Sequence, residues 1–439
     1  MTRSRLDLAD FTIDVFQNEY LPAGRRDVNA IVTVTSGRQS AALDVPAAAE
    51  IIILDCSGSM SDPADKMAEA KTATAAAIDA LRDGVSFAVI AGNDKAHPVY
   101  PPDASLALAT PQAREAARQA VQGLRADGGT AIGEWLLLAH QIFTSGARDG
   151  DGPVPVRHAI LVTDGKNQHE TPEELAGAIS WCEGTYRCDC RGVGTDWEVA
   201  ELRRVSTALL GTVDIVANPA RLAADFTSLM RSAMSKEISD VALRVWTPQH
   251  GRIRFLRQVA PAVDDLSGRR SVAGPQAGDY PTGSWGTGES RDYHLWVEVS
   301  PAGVGQEMLA ARVSLVAGGP GGSQVLGQGL VRALWTNDES LSTRINPHVA
   351  HYTGQAELAE VIQDGLQARK EGDEDTATAK LGRAVALAGQ AGHEETARLL
   401  AKVVEVVDAT GTVRLRRRVA DADEMALDTR STKTVRTKK

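Results

Sequence analysis

The feature that most constrains the fold is an unbroken apolar run, Ile51-Ile52-Ile53-Leu54, which begins a long alternation of strand-like and helix-like segments. A strand that is apolar at every position is buried on both faces, as in parallel sheets that are covered by helices on both sides. Further apolar strands are predicted at 87–90 and 158–162, with helices between them. The alternation predicts a doubly wound, mostly parallel α/β domain over residues 48–236.

The segments on either side of this domain have a different periodicity. Residues 1–47 contain two alternating runs and a turn, which predict a β-hairpin, and residues 237–346 alternate with period two between loops rich in Gly, Pro and Ser. The second pattern predicts an antiparallel β-sandwich. Because a lone two-stranded ribbon is only marginally stable, we expect the hairpin to pair with the sandwich. The parallel domain would then be inserted in the sandwich or be followed by it.

The carboxyl-terminal third divides into a helical part and a basic part. Residues 347–408 have helical spacing, with Leu358, Ile362 and Leu366 on one face, and predict a helical hairpin cap that weakly resembles a tetratricopeptide unit. A third helix is predicted from about Glu394 to Val407. Residues 409–439 contain nine Lys or Arg against four Asp or Glu, with little apolar periodicity. Low hydrophobicity and high charge predict a disordered, Thr-rich basic tail.

Overall charge and composition exclude several classes of function. The net charge of −10 argues against nucleic acid as a partner of the whole chain, because such binding depends on Lys and Arg neutralising phosphates. The first residues, MTRSRLDLADF, carry acidic residues where a secretion signal needs an apolar core, and no run reaches the length of a membrane span. Four cysteines in 439 residues do not make a disulfide framework, so we expect buried thiols. These features predict a cytoplasmic protein without a membrane span.

The most informative motif follows the first buried strand directly, as Asp55-Cys56-Ser57-Gly58-Ser59. Ligands of open parallel sheets bind beyond the carboxyl ends of the strands, and this loop lies at such an end. Thr130 and Asp164 supply further oxygens from later loops of the same domain. A set made only of hydroxyls and carboxylates suits a hard ion such as Mg²⁺ or Mn²⁺ and disfavours zinc. The alternative is a plain turn with a helix N-cap, since Asp and Ser favour both.

This constellation resembles the metal-ion-dependent adhesion site of von Willebrand factor A-type domains, here in a stand-alone bacterial protein. The resemblance covers residues 48–236 and fills all five motif positions. It implies that the hydroxyls of Ser57, Ser59 and Thr130 bind the metal directly, while Asp55 and Asp164 act through water. It also implies that an Asp or Glu carboxylate from a partner protein completes the coordination shell. The chain would then be a metal-dependent adaptor or scaffold.

Catalytic motifs are missing from the sequence. It contains no G-x-x-x-x-G-K-[ST] phosphate loop, no G-x-S-x-G elbow and no H-E-x-x-H zinc motif, so we expect a protein that is not an enzyme. His169 and Glu170 follow Asp164 closely and could be taken for an acid–base pair, but we expect a solvated loop. Cys56 lies between two candidate ligands, where we expect it to pack inward rather than react.

The basic tail suggests a second class of function. Its threonines alternate with basic residues in TRSTKTVRTKK, a context that suits a Ser/Thr kinase. A phosphothreonine could dock a forkhead-associated domain. The candidate phosphorylation sites are Thr429, Thr432, Thr434 and Thr437. Three further alternatives remain. The tail could be solubilising, or it could contact nucleic acid or a membrane surface through Arg414, Arg416, Arg417 and Arg418. The chain could also be the non-ATPase subunit of a chelatase or chaperone-like complex.

Overall fold

The computed structural model describes residues 11–37, 48–62, 65–145, 156–318, 323–408 and 410–436. These residues fold into two compact units. The α/β unit contains the described residues of 45–237 together with 420–429, and the sandwich unit contains those of 1–44, 238–419 and 430–439. The chain therefore passes between the units four times, at residues 44–45, 237–238, 419–420 and 429–430.

The amino-terminal segment supplies three strands to the sandwich unit. They are β1 (Phe11–Gln17), β2 (Tyr20–Pro22) and β3 (Asp27–Ser36). Strands β1 and β3 pair antiparallel, from Phe11 opposite Ser36 to Gln17 opposite Ala30. The buried residues of β3, such as Val28, Val32 and Val34, belong to the sandwich core.

The α/β unit is a seven-stranded sheet with helices between its strands. Its strands are β4 (Ala48–Asp55), β5 (Ser86–Gly92), β6 (Ala96–Tyr100), β7 (Ala107–Leu108), β8 (Val156–Thr163), β9 (Arg187–Val193) and β10 (Val213–Val216). Its helices are α1 (Asp65–Ala80), α2 (Pro111–Gln122), α3 (Ile132–Ser145), α4 (Pro172–Cys182), α5 (Val199–Ala208) and α6 (Leu222–Met234). The predicted doubly wound fold is confirmed.

The order of the strands explains where a site can form. It runs β10-β9-β8-β4-β5-β6, with β7 also paired to β5. Strands β10, β9, β8, β4 and β5 are parallel, whereas β6 and β7 are antiparallel. Strand β4 is buried at all eight positions, because helices cover both faces of the sheet. The order of connections reverses between β4 and β8, so the crevice at their carboxyl ends is the switch point of the sheet.

The rest of the sandwich unit is mainly antiparallel. Its strands are β11 (Lys236–Trp246), β12 (Arg252–Ala260), β13 (Asp264–Asp265), β14 (Ser271–Gly274), β15 (Ala277–Gly286), β16 (Ser290–Glu298), β17 (Glu307–Ala317) and β18 (Gln324–Thr336). One sheet has the order β1-β3-β16-β12-β13 and the other β14-β15-β11-β17-β18-β2. Both contribute to one core that includes Trp285, Leu295 and Trp335.

The carboxyl-terminal region adds four helices and a small hairpin to the sandwich unit. They are α7 (Glu339–Ser342), α8 (Pro347–Glu371), α9 (Glu374–Gln390), α10 (Glu394–Val403), β19 (Val404–Val406) and β20 (Val413–Leu415). Helix α10 ends four residues before its predicted end at Val407. The residues after it, Val404-Glu405-Val406, form β19, because β-branched side chains favour a strand.

The prediction of disorder for 409–439 is wrong for the described residues of that segment. Residues 413–415 form β20, and helix α11 spans Asp421–Arg430 within the α/β unit except for its last residue. Buried Leu427 and the pairing of Arg203 with Asp428 hold this helix in place. One buried leucine and one ion pair thus help to order a segment whose average hydrophobicity is low. Residues 409 and 437–439 lie outside the described residues.

Candidate metal centre

Two candidate ligands lie at the ends of adjacent parallel strands. Strand β4 ends at Asp55, and Asp164 follows the last residue of β8. The strands are in register, with Leu54 opposite Val162. Both carboxylates therefore reach the same crevice at the switch point, and both side chains are fully buried.

Hydrogen bonds join these carboxylates to the serines of the motif. The Ser57 amide donates to Asp55 Oδ1 at 2.7 Å, and the Ser59 hydroxyl donates to Asp164 Oδ1 at 2.6 Å. The two serine hydroxyls are 3.0 Å apart. Four of the five candidate residues thus form one continuous polar network. Ser59 is exposed, so the network opens to solvent.

The space beside Gly165 shows that Thr130 joins the same network. A Cβ placed on Gly165 would lie 3.1 Å from Thr130 Oγ1, 3.3 Å from Ser59 Oγ and 3.9 Å from Asp55 Oδ2. Three of the five side chains therefore present oxygens to one small region, which only a glycine leaves open. The structure brings all five candidate residues together at this edge of the sheet.

The loop after Asp164 positions Thr130. The amides of Gln168 and His169 donate to the Thr130 carbonyl oxygen, at 3.0 and 3.1 Å. The Thr130 amide donates to His169 Nδ1 at 3.3 Å. Glu170 accepts hydrogen bonds from the amides of Gly133 and Glu134, at 2.8 and 2.9 Å, and so caps the first turn of α3.

These contacts give His169 and Glu170 structural roles. His169 is exposed, as the predicted solvated loop requires, but it accepts from the Thr130 amide, and Glu170 accepts from the Gly133 amide at the start of a helix. Nothing in the sequence indicated the Glu170 contact, because Gly133, at the start of the helix that Glu170 caps, lies 37 residues earlier in the chain.

The negative charge of buried Asp55 is only partly stabilised by its neighbours. Burial raises the pKa of Asp55 to about 6, and hydrogen bonds from Ser57 and Thr163 only partly offset this effect. The nearby Asp164 carboxylate raises the pKa further. A divalent cation would stabilise such a pair of carboxylates, because an opposite charge favours the ionised form.

Lys66 is a functional candidate that the sequence analysis missed. It is the second residue of α1 and is only 4% exposed. Its Nζ lies 2.8 Å from Asp164 Oδ2 and 3.3 Å from Asp196 Oδ2. Burial opposes its charge, but the hydrogen bonds to Asp164 and Asp196 leave the pKa of Lys66 above its ordinary value. The available signal was its spacing, since Lys66 shares a buried helix face with Ala70, Ala73 and Ala77.

The donor set fits a hard divalent ion. Hydroxyl and carboxylate oxygens suit Mg²⁺ or Mn²⁺, which retain bound waters and need few protein ligands. In the described ranges, no three His, Cys, Asp or Glu side chains are grouped as a metal site would require. The candidate centre has only two such residues, Asp55 and Asp164. Its other three ligands would be the hydroxyls of Ser57, Ser59 and Thr130.

The cysteines are buried and have no disulfide partner. All four, Cys56, Cys182, Cys188 and Cys190, are free thiols, as the sequence predicts. Burial raises the pKa of Cys56 to about 12, and the charge of Asp55 adds to the effect. A thiolate is the reactive form, so Cys56 is a packing residue of the motif loop.

The candidate phosphorylation sites belong to ordered segments where they are described. Thr429 is buried, and its hydroxyl donates to the Met425 carbonyl oxygen at 2.9 Å. The Thr432 carbonyl oxygen accepts from the Val263 amide, and the Thr434 amide donates to the Pro261 carbonyl oxygen. Thr437 lies outside the described residues. A kinase would need these segments to detach.

An open doubly wound sheet with polar side chains at its switch point defines a class of α/β proteins that bind ligands at that edge. A family model described as von Willebrand factor type A domain matches residues 49–215, and one described as von Willebrand factor type A C-terminal domain matches residues 386–431. The solved structure of a von Willebrand factor type A protein from Catenulispora acidiphila is 51% identical, with a TM-score of 0.92 and 99% of each chain covered. The chain belongs to the von Willebrand factor type A family.

Two further matches are more distant, and the solved structure among them supports the fold alone. The ArnB paralog VWA2 from Sulfolobus acidocaldarius is 12% identical, with a TM-score of 0.59 over 96% of this chain and 98% of that one. An uncharacterized protein from Synechocystis is 25% identical over 223 residues. That match covers 49% of each protein, so the chain spans about half the length of this curated relative.

Family membership sets a coarse functional class. Domains of this family are often metal-dependent protein-interaction modules and are generally not enzymes. No helix in the described segments is long and apolar enough to cross a membrane.

Proposed function

We propose that this chain is a non-catalytic adaptor that binds an acidic protein partner through a divalent metal ion, Mg²⁺ or Mn²⁺. The observation that supports the proposal most directly is the convergence of Asp55, Ser59, Thr130 and Asp164 beside Gly165, at an edge that Ser59 leaves open to solvent. Such a site can hold an ion and still admit a ligand from outside.

Each candidate residue has a defined part in this proposal. Ser57, Ser59 and Thr130 would hold the ion by their hydroxyl oxygens, while Asp55 and Asp164 would orient its waters. When bound, the ion supplies a Lewis-acidic position for a carboxylate oxygen of the partner. Because Asp55 and Asp164 would act through water, few protein charges would bind the ion directly, and recognition would depend on an Asp or Glu from that partner.

A calorimetric titration of Mg²⁺ and Mn²⁺ tests the site. We expect saturable binding by the wild-type chain and a loss of at least about tenfold in affinity when Ser57→Ala and Ser59→Ala are combined, because two direct ligands are removed. Ser61→Ala is a matched control, since Ser61 lies in the same turn and donates to the Gly58 carbonyl oxygen instead.

The partner chemistry needs a second measurement. With Mn²⁺ present, peptides that contain Glu should bind better than the same peptides with Gln, and EDTA should abolish the difference. Equal metal binding by wild type and the double variant would remove the basis of the proposal. Equal binding of Glu and Gln peptides would retain a metal site but exclude a carboxylate ligand.

The alternative roles have less support. A phosphothreonine tail read by a forkhead-associated domain requires accessible threonines, whereas Thr429 is buried and the segment containing Thr432 and Thr434 is hydrogen bonded to residues 261–263. No observation favours a subunit of a chelatase or chaperone-like complex over the adaptor.

A further inference from the structure

The ion pair of Lys66 and Asp164 is an unusual element of the candidate metal centre. Lys66 lies in the first turn of α1, where the positive end of the helix dipole disfavours a cation. It is nevertheless buried, and a buried ammonium persists only when charged partners compensate it. Its position on the Ala-rich face of the helix would otherwise suit an apolar side chain. A specific anion must therefore hold Lys66 there.

That anion is the carboxylate of Asp164, one of the candidate residues of the metal centre. Asp164 Oδ2 accepts from Lys66 at 2.8 Å, while Asp164 Oδ1 accepts from the Ser59 hydroxyl at 2.6 Å. Each oxygen of Asp164 thus has its own donor, and the two donors fix the plane of the carboxylate. Asp196, the other partner of Lys66, has a side chain that is 68% exposed, so the pair with Asp164 is the better shielded.

We infer that Lys66 is a positioning residue of the metal centre, which orients Asp164 toward Ser59 and competes with a bound divalent ion for its negative charge. The inference depends on the proposed function, since it concerns the same site. Lys66 would lower the affinity of the metal while keeping the site folded when no metal is bound.

The charges of Asp55, Asp164 and Lys66 determine how strongly the site would bind a metal ion. Asp55 and Asp164 together could neutralise a divalent ion, but the Lys66 ammonium offsets one of these two charges. The three buried side chains and a divalent ion together would carry one positive charge, which exposed Asp196 offsets only in part because solvent screens it, so a partner carboxylate would be favoured. Weak binding of the metal alone and stronger binding in the presence of an acidic ligand follow from this balance.

The test measures Mn²⁺ binding by the full chain in which Lys66 is replaced. Lys66→Met removes the charge but keeps the length of the side chain, and should bind Mn²⁺ at least about tenfold more tightly, because repulsion of the ion is lost. Lys66→Arg keeps the charge and should remain within about threefold of wild type. Lys166→Met is a matched control, because Lys166 is half exposed and pairs with Glu198 rather than Asp164.

Thermal unfolding provides a second readout that does not depend on calorimetry. Without metal, Lys66→Met should unfold at a lower temperature than wild type, because buried Asp164 loses its counter-charge. Saturating Mn²⁺ should raise the melting temperature of Lys66→Met by more than it raises that of wild type, since ligand stabilisation follows affinity. A purely structural ion pair would lower stability in both conditions and leave the metal shift unchanged.

The outcomes separate this inference from the proposed function. Unchanged or weaker Mn²⁺ binding by Lys66→Met, with normal binding by wild type, would overturn the role of Lys66 alone. An equal gain in Lys166→Met would also overturn it, since general surface charge would then be the cause. Absence of Mn²⁺ binding in every variant would overturn both the inference and the proposed function, whereas binding by Lys66→Met only would support the competition directly.

Discussion

Gly165 lies directly after Asp164, and the space above its Cα is bordered by three candidate ligands. The residue contributes no side-chain donor, yet its lack of a Cβ determines whether an ion can approach Thr130 Oγ1 and Ser59 Oγ. Sites at strand ends often need such a residue, because the backbone itself forms one wall.

Replacing Gly165 with Ala should weaken Mn²⁺ binding by about tenfold or more. The new methyl would lie 3.1 Å from Thr130 Oγ1 and 3.3 Å from Ser59 Oγ, which crowds the two hydroxyls. The free energy of unfolding should fall by only about 1 kcal/mol, a typical effect of mild overpacking. Calorimetry and urea titration measure the two quantities separately.

Gly177→Ala is the matched control for this substitution. A Cβ at Gly177 meets nothing within 4 Å, and the residue lies inside helix α4, so alanine should leave metal affinity unchanged and stabilise the helix slightly. Unaltered Mn²⁺ affinity in Gly165→Ala would mean that the ion does not occupy the space beside Gly165.

Residues at the site differ in how far the sequence predicted them. Asp55, Ser57 and Ser59 form a recognisable local motif, and Thr130 and Asp164 follow at the positions that the family pattern requires. Lys66 belongs to no such pattern, and its role depends on a contact across 98 residues of sequence. A buried lysine on a helix face could be suspected from spacing, but its partner could not.

At the scale of elements, the α/β sheet contains a second polar cluster that spans three neighbouring strands. His158 on β8 contacts Glu50 on β4 through Nδ1 at 2.7 Å and Asp189 on β9 through Nε2 at 2.9 Å. Asp189 in turn accepts from the amide and hydroxyl of Thr212, both at 2.6 Å. The cluster adds side-chain contacts to the backbone hydrogen bonds that join β4, β8 and β9.

The charge of His158 makes the stability of the sheet depend on pH. Burial opposes the protonated ring, but Glu50 and Asp189 raise the pKa of His158 from 6.5 to about 9. A raised pKa in the folded state means that the stabilisation is complete below about pH 6.5 and is lost as the pH rises through about 9. Asp189 has a lowered pKa and therefore matters only in the acidic range.

Wild type should lose on the order of 2–3 kcal/mol more stability than His158→Gln between pH 6.5 and pH 9.5. Urea titrations of both proteins across this range measure the difference. The comparison removes the contribution of groups that do not contact His158, whereas Glu50, whose raised pKa His158 partly lowers, changes together with it. Parallel pH profiles for the two proteins would show that His158 is not charged in the folded state.

Element boundaries were predictable where the chain is strongly periodic. Residues 51–54 of strand β4 are all apolar, and helix α4 begins with a capping box of Thr171 and Glu174, whose T-x-x-E spacing is typical of a helix start. The prediction of disorder for the carboxyl-terminal segment was wrong because the order of that segment depends on a few specific contacts, such as Arg203 with Asp428. Average composition does not reveal such contacts.

At the scale of the whole molecule, the last described residues complete the sandwich unit. Arg436 donates two hydrogen bonds to the buried Asp292 carboxylate, at 2.8 and 2.9 Å, and a third to Ser290. Thr33 and Tyr352 bind the same carboxylate, so Asp292 joins β3, β16, α8 and the terminal segment. The sequence offered no indication of this pairing, since its partners are 144 residues apart.

Arg436→Ala should lower the free energy of unfolding by about 1–2 kcal/mol, because a buried carboxylate loses charge-assisted donors. The Val263 amide, which donates to the Thr432 carbonyl oxygen, should exchange its hydrogen faster in this variant. Arg417→Ala, at an exposed position, is the control. Unchanged exchange at Val263 would show that the segment stays docked without Arg436.

The fourfold passage of the chain between the two units has a practical consequence for fragments of this protein. A protease cut between Glu237 and Ile238 would give two pieces that still need each other, since β3 in the first pairs with β16 in the second, and Arg203 in the first binds Asp428 in the second. The pieces should behave as complementing halves rather than as free domains. A recombinant fragment limited to residues 48–236 would likewise be incomplete. It would lack helix α11, which belongs to the α/β unit although it lies near the carboxyl end of the sequence.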